Sequence, residues 1–178
     1  GYIYDLLDEQ QAADVLLELE EEKREELLST FSTKEIAEQL DNMQSDDAAD
    51  VINELPEEIQ EEVLSHIEDI DQASDIADLL NYEEGTAGSL MAKELVCVYI
   101  NDTVGTCIDE IRKQTDDVDV MYAVYVIDAN NKLLGMLSLK KLIISHPLTR
   151  LDEIVEPNVH SVKTSATSEE VSELMQKF

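Results

Sequence analysis

Positive charge is scarce in this chain of 178 residues: 12 Lys and Arg stand against 42 Asp and Glu, a formal net charge of −30. Such a surplus argues against bare nucleic acid or an anionic membrane as partner, since both repel it. Two cysteines, Cys97 and Cys107, cannot make a disulfide framework. Tryptophan is absent, and there are only 6 Tyr, 2 Phe and 5 Gly. So few aromatics and glycines argue against a catalytic or nucleotide-cradling chain. No apolar run approaches the ~20 residues that span a bilayer. No charged-then-apolar leader opens the sequence, so no signal peptide is expected and a cytosolic-facing location is. With 43% apolar residues in regular patterns, the charge does not imply disorder.

What is present divides near residue 85. Residues 1–84 carry 28 acids and 3 bases (Lys23, Arg24, Lys34), whereas residues 85–178 carry 14 acids and 9 bases. β-Branched and aromatic runs occur only in the second part. The expectation is an acidic all-α domain over 1–82, then a mixed α/β region.

In the first part apolar residues fall at helical spacing. The sets are Ala12–Leu19, Leu27–Phe31, Ile36–Leu40, Ala48–Leu55, Ile59–Ile67 and Ile76–Leu80. Ser32 with Glu35 forms a capping box, Ser45 can cap, and Pro56 suits a first helical position. Ala12-Ala13-Asp14-Val15 returns as Ala48-Ala49-Asp50-Val51, an internal repeat of 36 residues. The period implies stacked helices in a superhelix, read as two short helices per unit. Such arrays are binding or spacer modules more often than catalysts.

The second part alternates strand and helix patterns. Leu95–Ile100 reads as a strand, Thr103 as the cap of a helix through Ile111, and Tyr122–Ile127 as a strand. Asp128–Lys132 is a turn, Leu133–Leu137 the returning strand, and Ser138 the cap of a helix. A short helix is expected over Thr149–Val155, a strand over His160–Lys163, and a last helix from Ser168.

That series, with Tyr125-Val126-Ile127-Asp128 and Lys132-Leu133-Leu134-Gly135-Met136-Leu137-Ser138, resembles a CBS domain over 83–150, with the truncated start of a second over 151–178. Tyr82-Glu83-Glu84-Gly85-Thr86-Ala87-Gly88-Ser89-Leu90-Met91 sharpens the likeness. An acidic helical-repeat domain leading through this linker into a CBS pair resembles the cytosolic part of MgtE-type magnesium transporters. Gly85, Ser89 and Ala92 depart from the family's usual acid, glycine and threonine. The resemblance implies a regulatory region that senses Mg²⁺, a homodimer paired through CBS domains, and pore helices supplied elsewhere. By itself this stretch is expected not to transport, and no enzyme activity is expected.

Mg²⁺ takes oxygen ligands and keeps several waters, so one or two carboxylates per ion are typical. The ordinary reading of any one acid here is a solvated helix face. The resemblance places Asp14, Asp46 and Asp50, and a backbone carbonyl near Ser89, at magnesium positions shared by the helical and CBS domains. Asp46 and Asp50 are four apart, so they share a helix face and repel without a cation. An acid in a first turn, such as Asp46, is also stabilised by the helix dipole alone.

Two other readings remain open: an adenine-nucleotide-responsive CBS module, and a helical-repeat scaffold for a protein partner. In the nucleotide-binding Ser/Thr-x-x-Asp pattern, Ser138-Leu139-Lys140-Lys141 puts Lys141 where the ribose-reading acid would stand. His66, His146 and His160 have no metal-ligand spacing. No HExxH, glycine-rich phosphate loop or nucleophile–base set is present.

Overall fold

Six short helices account for the acidic half: α1 (Glu9–Glu18), α2 (Glu21–Leu28), α3 (Thr33–Leu40), α4 (Ser45–Asn53), α5 (Glu57–His66) and α6 (Ile70–Leu79). The computed structural model describes residues 7–114, 121 and 123–177. The strand expectation at Tyr122 therefore lies partly outside the described residues. The chain divides into two compact units, Gly1–Lys93 with Val162–Phe178, and Glu94–Ser161.

The 36-residue period is correct, but each repeat holds three helices rather than two: α1, α2, α3 match α4, α5, α6. Each apolar set begins on its own helix, with Leu19, Phe31, Leu55, Ile67 and Leu80 just past the helix ends. The helices are only 8–10 residues long and joined by short links. In α2 the apolar residues sit at the C-terminal end, so its pattern runs into its neighbour's. Equivalent positions do equivalent work. Ala12 and Ala13, like Ala48 and Ala49, are buried small residues that let helices approach, and Leu16, Ile52, Leu40 and Ile76 are fully buried. The repeats differ at their flank: Val51 is 0% exposed and its counterpart Val15 is 39% exposed.

Arg24 on α2 joins the repeats. Its guanidinium donates two 2.8 Å bonds to Glu54 and a third to the Leu17 carbonyl, largely out of solvent. Gln72 Nε2 does similar work, donating to the carbonyls of Leu40 and Met43.

The Ser32–Glu35 capping box forms. Two other caps differ. Pro56 is the N-cap of α5 rather than its first residue, and Ser45 is the first residue of α4, with Gln44 as N-cap. The Ser45 hydroxyl instead accepts the Lys93 amide.

The linker after α6 folds back on this unit. Tyr82 and Met91 pack against its core. Gly88 is tight against Tyr82: a Cβ there would lie 2.4 Å from the ring's Cδ1. The amides of Ala87 and Gly88 donate to the carbonyls of Ala166 and Thr164, and Ser168 donates to Gly85. Helix α9 (Ser168–Lys177) follows. Thr167 caps it, bonded reciprocally with Glu170. His160–Lys163 is not a strand. A strand needs a ladder partner, and the bridges on either side of this stretch, Met136–Glu156 and Thr86–Thr167, are isolated ones.

The second unit is a three-stranded sheet of order β1-β2-β3. Strand β1 (Cys97–Tyr99) runs parallel to β2 (Ala123–Ile127), and β2 antiparallel to β3 (Leu133–Ser138). Helix α7 (Val104–Gln114) connects β1 to β2, and α8 (Leu139–Ile144) follows β3. The parallel pair requires that crossover. Val124 and Val126 alternate into the core with Val96, Val98, Leu137 and Leu151. Thr103 accepts the Thr106 amide and Ser138 the Lys141 amide, as expected of caps. The Asp128 carboxylate accepts the amides of Asn130 and Lys132, closing the hairpin turn. Thr149–Val155 contains only one 3₁₀ turn, Leu151–Glu153. Leu151 is buried, while its amide bonds Asp102 O, which pins the turn instead of extending a helix.

Candidate functional site

Helix α4 begins Ser45-Asp46-Asp47, and its first turn is acidic. Backbone N–H groups unsatisfied at a helix start favour anions there. That explains the helix but not the surroundings of Asp46. Its Oδ1 is buried and, among the described residues, has no hydrogen-bond partner. An unsatisfied buried acceptor costs about 1–3 kcal/mol.

Asp50 lies one turn later. Its carboxyl is held above the usual aspartate range, first by partial desolvation and then by the charges of Asp46 and Glu84; Arg24 opposes the rise. Three carboxylates thus share one field, with the guanidinium stapled to Glu54 as partial relief. The raised value has a definite sign for stability. The folded protein holds this proton more tightly than the unfolded chain, so ionised Asp50 disfavours folding at neutral pH. The penalty is relieved as pH falls through the folded value.

The structure brings Asp46 and Asp50 together. Asp14, on α1 one repeat earlier, is exposed and accepts a 3.3 Å bond from Gln10 Nε2. Ser89 lies in the linker, its hydroxyl donating to the Thr86 carbonyl. Sequence reasoning missed Arg24 and Glu84 as neighbours of Asp50. Glu84 was visible in the Tyr-Glu-Glu stretch; Arg24 was visible as one of three bases among 28 acids. Among the described residues no three His, Cys, Asp or Glu side chains converge to hold a metal. The pair of carboxylates nonetheless fits a hydrated hard cation, which takes one or two carboxylates and keeps its waters. The donors are all oxygen, and one of them lacks any partner.

In the second unit Lys141 is committed within its own domain. Its ammonium donates to the Ile154 carbonyl at 3.1 Å and pairs with Glu156 at 3.1 Å. The cysteines are unbridged; Cys107 is pushed up to about 11, by burial and then by the Asp102 charge, so it is a packing thiol.

Residues 1–85 match the family model of the MgtE intracellular N domain, and residues 87–145 that of the CBS domain. Over nearly its whole length the chain also superposes on the solved cytosolic domain of the Mg²⁺ channel MgtE in complex with ATP. The TM-score is 0.90 at 33% identity, covering 99% of this chain and 72% of that one. The chain belongs to the MgtE family. A second solved relative, the soluble part of a magnesium transporter, gives a TM-score of 0.84 at 30% identity, covering 98% of this chain and 69% of that one. The magnesium transporter MgtE of Thermus thermophilus is 38% identical over 105 residues, 59% of this chain. This chain spans about a quarter of the curated MgtE relatives it matches (23% of that one). MgtE is a transporter family rather than an enzyme family. No helix among the described residues is long and apolar enough to cross a membrane.

Proposed function

We propose that this chain is the Mg²⁺-sensing regulatory region of a magnesium transporter. It lies on the cytoplasmic side of the membrane, acts on a transmembrane pore of the full-length protein, and pairs with a second copy through CBS units, the second of which opens at residues 151–178. The observation that carries the reading is the buried, unpartnered Asp46 Oδ1 one turn from Asp50, whose carboxyl is already disfavoured as an anion. Asp46 and Asp50 hold the ion; Asp14 and the Ser89 carbonyl are further positions of the same kind. Bound Mg²⁺ supplies positive charge to these carboxylates and relieves their repulsion. Without it, Asp46, Asp50 and Glu84 repel, and the acidic helices resist close approach by other acidic surfaces. A ligand that prefers the closed state shifts the population toward it.

Small-angle scattering tests this directly. The radius of gyration should fall in MgCl₂ relative to KCl of equal ionic strength. Equal curves would leave only screening, which acts without any specific site.

One observation favours a second reading, a nucleotide response: the solved relative at 33% identity is a complex with ATP. Here Lys141 stands where an acid would read the ribose, and Glu156 and the Ile154 carbonyl hold its ammonium. Calorimetry in EDTA should show weak ATP binding, and Lys141→Asp should tighten it about tenfold, worth ~1.4 kcal/mol. Micromolar binding by the wild type would reverse the order of the two readings.

A further inference from the structure

Among the described residues Ser45 is the buried polar one, with 0% exposure. It begins α4, although the N-cap of that helix is Gln44. The Ser45 hydroxyl accepts the amide of Lys93, 48 residues away, at 3.1 Å. The Lys93 ammonium meanwhile reaches two acids of α6, Asp78 at 2.6 Å and Asp75 at 3.4 Å. One residue is thus tied by its backbone to the start of α4 and by its side chain to α6.

The two ends of this clamp are informative. At one end, Ser45 immediately precedes Asp46, whose Oδ1 lacks a partner. At the other end, Lys93 closes the first stretch of the first unit, and Glu94 opens the second unit. A helical turn moves as a piece, because successive residues share its backbone bonds. A shift of the first turn of α4 on neutralising Asp46 and Asp50 therefore moves the Ser45 hydroxyl, and the Lys93 amide with it.

We infer that Ser45 and Lys93 form a positioning clamp that carries the charge state of the α4 acidic turn to the first of the two chain crossings between the units, at Lys93–Glu94. The inference rests on the Mg²⁺-sensing reading above, but it assigns the coupling, not the binding. Neither residue is an ion ligand. Ser45 presents its oxygen to an amide, and Lys93 is a cation that the ion would repel.

The test is hydrogen exchange at the amides of Leu90–Leu95 in the full chain, in MgCl₂ and in KCl of equal ionic strength, with calorimetric titration of MgCl₂ alongside. In the wild type Mg²⁺ should slow exchange of the Lys93 amide by about fivefold or more, the lower end of ordinary coupling between sites. Ser45→Ala should bring that ratio near one while the heat of Mg²⁺ binding persists, and Lys93→Met, which keeps the amide bond but loses the hold on α6, should lower the ratio by less. Their apparent affinity should fall by no more than the lost coupling factor, because coupling is reciprocal. Lys93→Arg, which also keeps the charge that pairs with α6, should retain the ratio. A brace without a coupling role would raise exchange equally in both salts and leave the ratio at the wild-type value; that result overturns the inference. Mg²⁺ heat with no slowing in the wild type overturns it as well, and leaves the sensing reading standing. Absence of Mg²⁺ heat in the wild type overturns both.

Discussion

Gly135→Ala should unfold the α/β unit while the helical unit stays folded. Gly135 lies in β3, opposite Val126 of β2. On its other side the chain returns through Val155 and Glu156. A Cβ at Gly135 would lie 2.5 Å from the Glu156 carbonyl oxygen, 2.6 Å from Val155 Cγ2 and 3.0 Å from the Glu156 carbonyl carbon. Two of those three are backbone atoms, which cannot turn aside as a flexible side chain can. Relief requires pulling the returning segment off β3. That breaks the reciprocal bonds between Met136 and Glu156, 3.0 and 2.9 Å. Overpacking and lost hydrogen bonds together cost about 3–5 kcal/mol. A unit of this size has only about 3–10 kcal/mol in total. Hydrogen exchange reads the outcome locally: the amides of Val124 and Val126 should lose protection, and those of Ile36 and Ile52 should keep theirs. Unchanged protection at Val126 would mean that the Val155–Glu156 segment yields cheaply.

The same glycine illustrates what was legible beforehand. Its place in a strand already suggested either close packing or a bulge, because glycine weakens a strand unless one of these requires it. The partner, twenty residues on, could not be read. The CBS-like order of strand, helix, hairpin and helix followed from alternation and turn chemistry, which are local. So did the 36-residue repeat. The number of helices per repeat was misread because α2, Glu-Glu-Lys-Arg-Glu-Glu-Leu-Leu, has apolar residues at one end only. Ser45 looked like a cap because its residue type and position allow it. Its hydroxyl accepts an amide 48 residues away, a contact that no local pattern encodes. The strand expected over His160–Lys163 failed for a related reason: alternation proposes a strand, but only a neighbour completes one.

The candidate site divides in the same manner. The four-residue spacing of Asp46 and Asp50 was visible, and so was their mutual repulsion. That Asp46 Oδ1 is enclosed without a partner, and that Glu84 and Arg24 act on Asp50, are tertiary facts. They separate Asp46 from an ordinary solvated helix face, while Asp50 stays exposed and feels its neighbours' charges. They also show a local conflict that helix preferences alone would not produce.

Asp46→Ala should raise the stability of the metal-free protein and abolish much of its response to Mg²⁺. Removing the enclosed, unpartnered oxygen recovers about 1–3 kcal/mol. Removing the like-charge pair with Asp50 adds ~0.2–0.5 kcal/mol. The loss of an acid from a first turn costs ~0.3–1 kcal/mol. The balance is a gain of about 1 kcal/mol, seen in EDTA as a Tm higher by roughly 4 °C for a unit near 100 residues. Magnesium should reverse the ranking. At an Mg²⁺ concentration near 100 times the wild-type Kd, binding adds about 2.7 kcal/mol to the wild type. A variant that binds about tenfold more weakly gains ~1.4 kcal/mol less, which erases its advantage. Glu61→Ala, an exposed acid on α5, should leave the Mg²⁺ response at the wild-type size. Asp50 supplies an internal check through its carboxyl carbon in an NMR titration. Its midpoint should fall in Asp46→Ala because one repelling charge is gone, yet stay above the ordinary aspartate value because partial desolvation, the larger cause, remains. If Asp46→Ala instead lowers the metal-free Tm and keeps the full Mg²⁺ gain, this carboxylate is a structural first-turn acid and the ion binds elsewhere.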